Sequence, residues 1–320
     1  MKKGTLTISI DFEYALGYAD EMLSVERRQL VREEAAVSRE ILKLFEKYDI
    51  SATWAIVGHL LETDCSPADD GRVHAEFPAQ IFTDSSLDWF AHHPPAGDTA
   101  DPLWFDSAGV IKAVQQSVVP QEIGSHSYAH ILYGAPTIKP EAIAADIAGI
   151  ARIHKRYGLP LASFIFPRNM EGYHKELREI GVQCYRGLST FWYMKLPGPL
   201  GRLARLFDYM LPGVRTVTPS RHESGLINIP DSLLLLGRNG FRKLVTPSMM
   251  KRKIRRGIKA AADRQEIFHL WFHPSNFSYD TATQLNILED ALQYAASLRE
   301  EGVLRVTTMG MIADECKTVV

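Results

Sequence analysis

Four short stretches of the chain carry residue types that could do chemistry together. In Asp11-Phe12-Glu13 two carboxylates stand two apart, so an extended backbone points both to one side. Like charges held that close need a cation or a proton between them. A pair of solvated acids in a loop is the plain alternative. His126-Ser127-Tyr128-Ala129-His130 puts two imidazoles four apart, which on a helical turn would bring both onto one ion. With a carboxylate from a neighbouring strand they would form a two-His, one-carboxylate set that leaves coordination positions open. Arg168, in Phe166-Pro167-Arg168-Asn169, is suited to hold a carboxylate ionised through a forked hydrogen bond; the alternative is a surface arginine in a turn. His273 leaves an apolar run, His269-Leu270-Trp271-Phe272, just before Pro274, and fits a proton carrier. His269 is also four from His273, but on a strand that is about 13 Å, so it suits a core role.

These residues need elements to bring them together. Short β-branched and apolar runs alternate with helical patterns, the signature of βα units. Strands are expected at 6–10, 52–57, 122–124, 162–166, 182–185, 226–229, 267–272 and 304–307, and helices at 26–48, 139–157, 173–180 and 281–300. Eight strands separated by helices suggest a parallel (β/α) barrel, with an open doubly wound sheet as the alternative. In a barrel the reactive side chains sit at the C-terminal ends of strands, which is where the acidic pair, the His pair, Arg168 and His273 fall. Two departures from the rhythm read as long insertions, at about 63–117 and 190–260, within one domain spanning 1–320. The second contains an apolar stripe, Leu200, Leu203, Leu206, Phe207 and Met210, and a basic cluster from Lys251 to Lys259. Ordinary surface helices are the plain reading and a membrane-surface element the other.

Composition narrows the chemistry. The 320 residues include 36 Lys and Arg against 38 Asp and Glu, a net charge of −2, which does not suit a protein built to bind nucleic acid. The three cysteines, Cys65, Cys184 and Cys316, are scattered. They suggest a reducing compartment and no Cys-rich zinc site, so a metal would have to use the eleven histidines and the carboxylates. His74, His92 and His93 fall in the first insertion and read as exposed loop histidines. No signal-type or membrane-spanning run is present, which gives a cytoplasmic expectation.

The motifs, taken together, resemble those of the polysaccharide deacetylase family, the NodB-homology or carbohydrate esterase 4 group, from Thr5 to about Met311. The family's acidic motif corresponds to Asp11 and Glu13 in an acid-x-acid form. Its H-[ST]-x-x-H motif is met at His126 to His130, and its R-x-x-x-G motif at Arg168 to Gly172, with Asn169, Met170 and Glu171 in place of Pro-Pro-Tyr. Its Leu-x-His motif corresponds to the strand that ends Leu270-Trp271-Phe272-His273. Cys184-Tyr185-Arg186-Gly187 stands where the family has an Asp-containing segment ending in Trp.

The resemblance implies a distorted (β/α)7-8 barrel of NodB type with long insertions. It also implies a divalent metal, zinc with cobalt or nickel as alternatives, held by Glu13, His126 and His130. Asp11 would be the catalytic base, Arg168 its orienting partner and His273 the general acid, with Glu171 and Trp271 touching substrate. The activity implied is removal of an N-acetyl or N-formyl group from a sugar. The cytoplasmic expectation favours a nucleotide- or lipid-linked precursor, with peripheral membrane contact. Two rival readings are a hydrolase of small cyclic amides or ureides on the same barrel, and a catalytically inactive carbohydrate-binding barrel.

Overall fold

The computed structural model describes residues 3–18, 25–63, 65, 73–83, 103–106, 108–189, 193 and 196–318. Ten strands form one sheet: β1 (Gly4–Phe12), β2 (Thr53–Ile56), β3 (Glu122–Ser125), β4 (Ser163–Ile165), β5 (Cys184–Arg186), β6 (Ser220–Arg221), β7 (Ile227–Asn228), β8 (Leu233–Leu234), β9 (Ile267–Phe272) and β10 (Leu304–Val306). Among the described residues eight helices accompany them: α1 (Val25–Tyr48), α2 (Val110–Gln115), α3 (Pro140–Arg156), α4 (His174–Glu179), α5 (Gly198–Met210), α6 (Pro247–Arg264), α7 (Thr281–Glu300) and α8 (Met309–Thr318). Neighbours run β6-β7-β5-β4-β3-β2-β1-β9-β8, with β10 also on β1. All pairings are parallel except β6 with β7.

The two ends of this curled sheet are joined by one extended stretch. Its beginning, β7, pairs with β5, and its end, β8, pairs with β9. Between them Asp231 donates its amide to the Gly187 carbonyl and Ser232 to that of His269. Pro230 sits between the Ile229 amide, which donates to the Tyr185 carbonyl, and that of Asp231, where a residue without an amide hydrogen interrupts neither bond. The expected barrel is therefore present, and residues 227–235 close it although they lie within the stretch read as an insertion.

Every residue of β1 is buried, as a parallel strand covered on both faces requires. Leu6, Ile8, Ile10 and Phe12 belong to the apolar core. The alternate residues Ser9 and Asp11 face the barrel interior, where Arg186 reaches both and His269 reaches Ser9. The expected strands and helices fall within a few residues of those observed, and 281–300 and 267–272 coincide with α7 and β9. The short strands β6 and β8, the helix α2 within the first insertion and the C-terminal helix α8 were not foreseen.

Candidate metal centre and acid–base site

Period-two alternation carries β1's inward face to Asp11 and, one step past the strand, to Glu13. Glu13 Oε2 lies 3.2 Å from His126 Nε2 and 3.1 Å from His130 Nε2. Glu13, His126 and His130 are all buried, and their donor atoms lie within 4.8 Å of one another. His126 donates Nδ1–H to the Ile165 carbonyl at 2.8 Å, which fixes the tautomer and leaves Nε2 to face Glu13. The 126–130 segment is not the helical turn expected from its spacing. Ser127 and His130 adopt positive φ, 70° and 54°, and the imidazoles approach through an irregular turn with ring centroids 5.1 Å apart.

A buried carboxylate holds that strained turn. Asp146 of α3 accepts from Ser127 Oγ at 2.9 Å, from the Tyr128 and Ala129 amides at 3.1 and 2.8 Å, and from Tyr133 Oη at 2.7 Å. Gly17 gives room on the other side, since a Cβ there would lie 2.1 Å from Glu13 Oε1.

The guanidinium forked onto Asp11 is that of Arg186, not of Arg168 as the motif suggested. Arg186 Nη1 and Nη2 reach Asp11 Oδ1 and Oδ2 at 2.6 and 2.7 Å, and Nη2 also reaches Asn169 Oδ1 at 3.2 Å. The Trp271 ring lies 4.0 Å beneath the guanidinium carbon, and the indole N–H is held by Asp231 at 3.0 Å. Arg168, exposed and at positive φ on the turn after β4, lies near enough to His130 for its charge to weigh against protonation there. The carboxylate of Glu171 faces the Leu188 amide at 3.4 Å and His174 at 3.4 Å.

His273 Nε2 stands 3.7 Å from Asp11 Oδ2 and 3.6 Å from Glu13 Oε1, and a quarter of its side chain is exposed. The expected five, Asp11, Glu13, His126, His130 and His273, thus converge, with Arg168 and Trp271 beside them, while the Glu171 carboxylate turns to Leu188 and His174. Sequence reasoning missed Arg186. The only signal available was its place after a short apolar strand, at the same level as the acids on β1.

Burial pushes the Asp11 carboxyl up, but Arg186, with His126 and His273, overcomes it and holds Asp11 below its ordinary range. Glu13 is likewise buried, yet His273, His126 and His130 hold it well below the carboxylate range. Burial depresses His126, but Glu13 and Asp11 outweigh it and raise the imidazole; in His130 burial wins over Glu13 and the group is lowered. Glu34 of α1, fully buried, is pushed well above its usual range by burial and by the charge of Glu13. Such a set, two imidazoles and a carboxylate with one imidazole already oriented through its second nitrogen, fits a divalent borderline ion.

A cavity of about 440 Å³ opens beside the site. Arg168, Asn169 and Trp271 line it on the site's side and Arg205, Arg215 and Lys253 farther out. A larger one, about 750 Å³, lies at the opposite end of the strands among Thr5, Val217, Ile267 and Ile312, remote from these groups.

No family model and no curated protein matches the sequence. Solved structures do match. A Mycobacterium smegmatis protein described as a polysaccharide deacetylase superposes with TM-score 0.58 at 14% identity, over 99% of this chain and 92% of that one. A Pseudomonas aeruginosa protein so described gives 0.59 at 12%, over 97% and 89%. A GH57-type branching enzyme from Pyrococcus horikoshii gives 0.54 at 12%, over 98% and 70%. The chain therefore has the fold of NodB-type polysaccharide deacetylases. At these identities the similarity is one of fold, and the branching enzyme shows that the architecture serves other chemistry too.

Proposed function

We propose that the chain is a metal-dependent hydrolase that removes an N-acyl group, acetyl or formyl, from a sugar. The observation that carries this reading is the convergence of an ionised Asp11, the Glu13, His126 and His130 donors, and the half-open His273 on one strand-end rim. The metal they would hold supplies Lewis acidity to the amide carbonyl. Asp11, kept anionic and oriented by Arg186, takes a proton from the attacking water. The water oxygen bonds to the carbonyl carbon, the C–N bond breaks, and His273 delivers a proton to the departing nitrogen. The products are a free amine and a short carboxylate.

The cavity beside the site supports a substrate with an anionic handle. Arg168, Arg205, Arg215 and Lys253 line it against Asp208 and Asp231, an excess of positive charge suited to the diphosphate of a nucleotide- or lipid-linked sugar. Helix α5, which contributes Arg205, Asp208 and Tyr209 to that lining, exposes Leu200, Leu203 and Phe207 elsewhere, as a helix resting on a lipid surface would. No described helix is long and apolar enough to cross a membrane.

Release of acetate or formate from a panel of free, nucleotide-linked and lipid-linked N-acyl sugars tests the reading. Turnover is expected with the phosphorylated members, to be lost in Asp11→Asn and His126→Ala. Full, metal-insensitive activity in both variants would sink the mechanism. Equal rates on free and phosphorylated sugars would remove the anionic handle but leave the deacylase.

A further inference from the structure

A second donor cluster lies behind the first and has no part in that chemistry. His59 sits on the short helical turn after β2, Gly58–Leu61, and is fully buried. Its Nε2 lies 3.0 Å from His74 Nε2 and 3.3 Å from Cys65 Sγ, and the three donor atoms lie within 4.8 Å of one another. Cys65 is 5% exposed, and the His74 side chain 7%, so His74 is not the exposed loop histidine the sequence suggested.

The opposite ring nitrogens show how these imidazoles are oriented. His59 Nδ1 faces the Trp104 carbonyl at 3.2 Å, and His74 Nδ1 faces the Glu76 carboxylate at 3.2 Å. A carbonyl oxygen and a carboxylate oxygen only accept, so each Nδ1 donates and each ring turns its Nε2 toward the other. A positive centre shared by the two Nε2 atoms, 3.0 Å apart, and the Cys65 sulfur would satisfy all three donors at once. Orientation of an imidazole through an acceptor on its second nitrogen is the usual arrangement around a ligated metal. Metal bonds of about 2.0–2.1 Å to nitrogen and 2.3 Å to sulfur require donors spaced roughly as these are. His74 also holds positive φ, 57°, the left-handed conformation that fixes the direction of its side chain on this turn.

We propose that His59, Cys65 and His74 form a second, structural metal site for a borderline-soft divalent ion such as zinc, bound as the thiolate with loss of the Cys65 proton to solvent. Its effect reaches the first cluster through the backbone. The amides of Gly58 and His59 donate to the carbonyls of Ser127 and Tyr128 at 3.0 and 2.8 Å, and the Tyr128 ring lies about 6 Å from both imidazoles and stacks on Phe77. Tyr128 stands between His126 and His130. An ion at the second site braces the turn that presents them.

Cobalt(II) titration of the metal-stripped full chain under reducing conditions tests this, because only a thiolate site produces an intense near-ultraviolet sulfur-to-cobalt absorption. The wild type is expected to take up two equivalents, one of them with that absorption. Cys65→Ser should lose the band and one equivalent; His126→Ala should lose one equivalent and keep the band. If Cys65→Ser does not fold, His74→Ala should show the same loss. A cobalt-loaded wild type without the band, or a band that survives in Cys65→Ser, overturns the proposal.

Discussion

The two donor clusters differ in where they come from and in what surrounds them. Glu13, His126 and His130 sit just past the ends of β1 and β3, beside an ionised Asp11 and the partly exposed His273. His59, Cys65 and His74 are enclosed by Phe77, Phe105 and Tyr128 rings, and their outer partners are a backbone carbonyl and Glu76. On the proposed reading the first would have a base, an acid and a way in, and the second ligands and a wall. The flanking groups are what distinguish the cluster proposed for reaction from the cluster proposed to hold a loop.

The largest expected effect separates the two roles. His273→Ala should lower kcat by about 10²–10⁴, the usual contribution of a general acid, while cobalt stoichiometry stays at the wild-type value. Cys65→Ser should change metal content and chelator-dependent thermal stability with a far smaller loss of kcat. Steady-state kinetics beside metal analysis on both variants would check this. If Cys65→Ser cost as much kcat as His273→Ala while the first cluster kept its ion, the division of roles would fail.

The first cluster was legible in the sequence because each residue follows a regular element. Period two fixes Asp11 and Glu13 on one face of β1, and the apolar run before His273 announces β9. Arg186 was not legible as Asp11's partner. Two arginines stand at or just past the ends of neighbouring short strands, Arg186 closing β5 and Arg168 after β4, and spacing says nothing about which side chain turns into the barrel. Here Arg168 adopts a positive φ on an exposed turn, and Arg186 is fully buried over Trp271. The second cluster was hidden for another reason. Cys65 and His74 come from a stretch without period, and His59 from the turn just before it, so their proximity depends on tertiary contacts such as the His59 amide bond to Tyr128. Scattered cysteines had argued against a thiolate site, yet a single cysteine is enough when two imidazoles supply the rest. His92 and His93 lie outside the described residues.

The ion pairs of the two regions offer a sharper contrast in stability. Asp11 and Arg186 are 3% and 1% exposed in their side chains. Arg186→Met leaves a buried carboxylate unpaired and should cost about 3–5 kcal/mol in urea denaturation. Near the second cluster, Glu62 pairs with Arg152 at 2.7 Å, but the arginine side chain is 47% exposed and Glu62 also has Arg156. Arg152→Met should cost no more than about 1 kcal/mol. Comparable losses would mean that the floor of the site is wetter than its burial indicates. Gly17→Ala probes the first cluster alone. Its Cβ would overlap the Glu13 carboxylate, and displacement of that ligand should weaken metal binding about 10–100-fold, with the Cys65-dependent cobalt band unchanged.

A histidine that belongs to neither cluster gives the smallest effect and a control for acid sensitivity. His269 is buried in the barrel below Asp11, where it meets Ser9 Oγ at 2.9 Å and the Pro230 carbonyl at 3.1 Å. Burial, with the Arg186 charge beside it, pushes its pKa down to about 3. The unfolded chain binds that proton near pH 6.5 and the folded chain does not, so the unfolded state carries more protons between these values. The stability from neutral His269 is complete above about pH 6.5 and is lost as pH falls from there toward 3. At pH 5.5 the loss is about 1 kcal/mol. Denaturation of metal-free protein between pH 7.5 and 5.5 should show a shallower acid decline in His269→Gln than in wild type, even though the variant is less stable throughout. An unchanged slope would place the acid sensitivity in the clustered histidines instead.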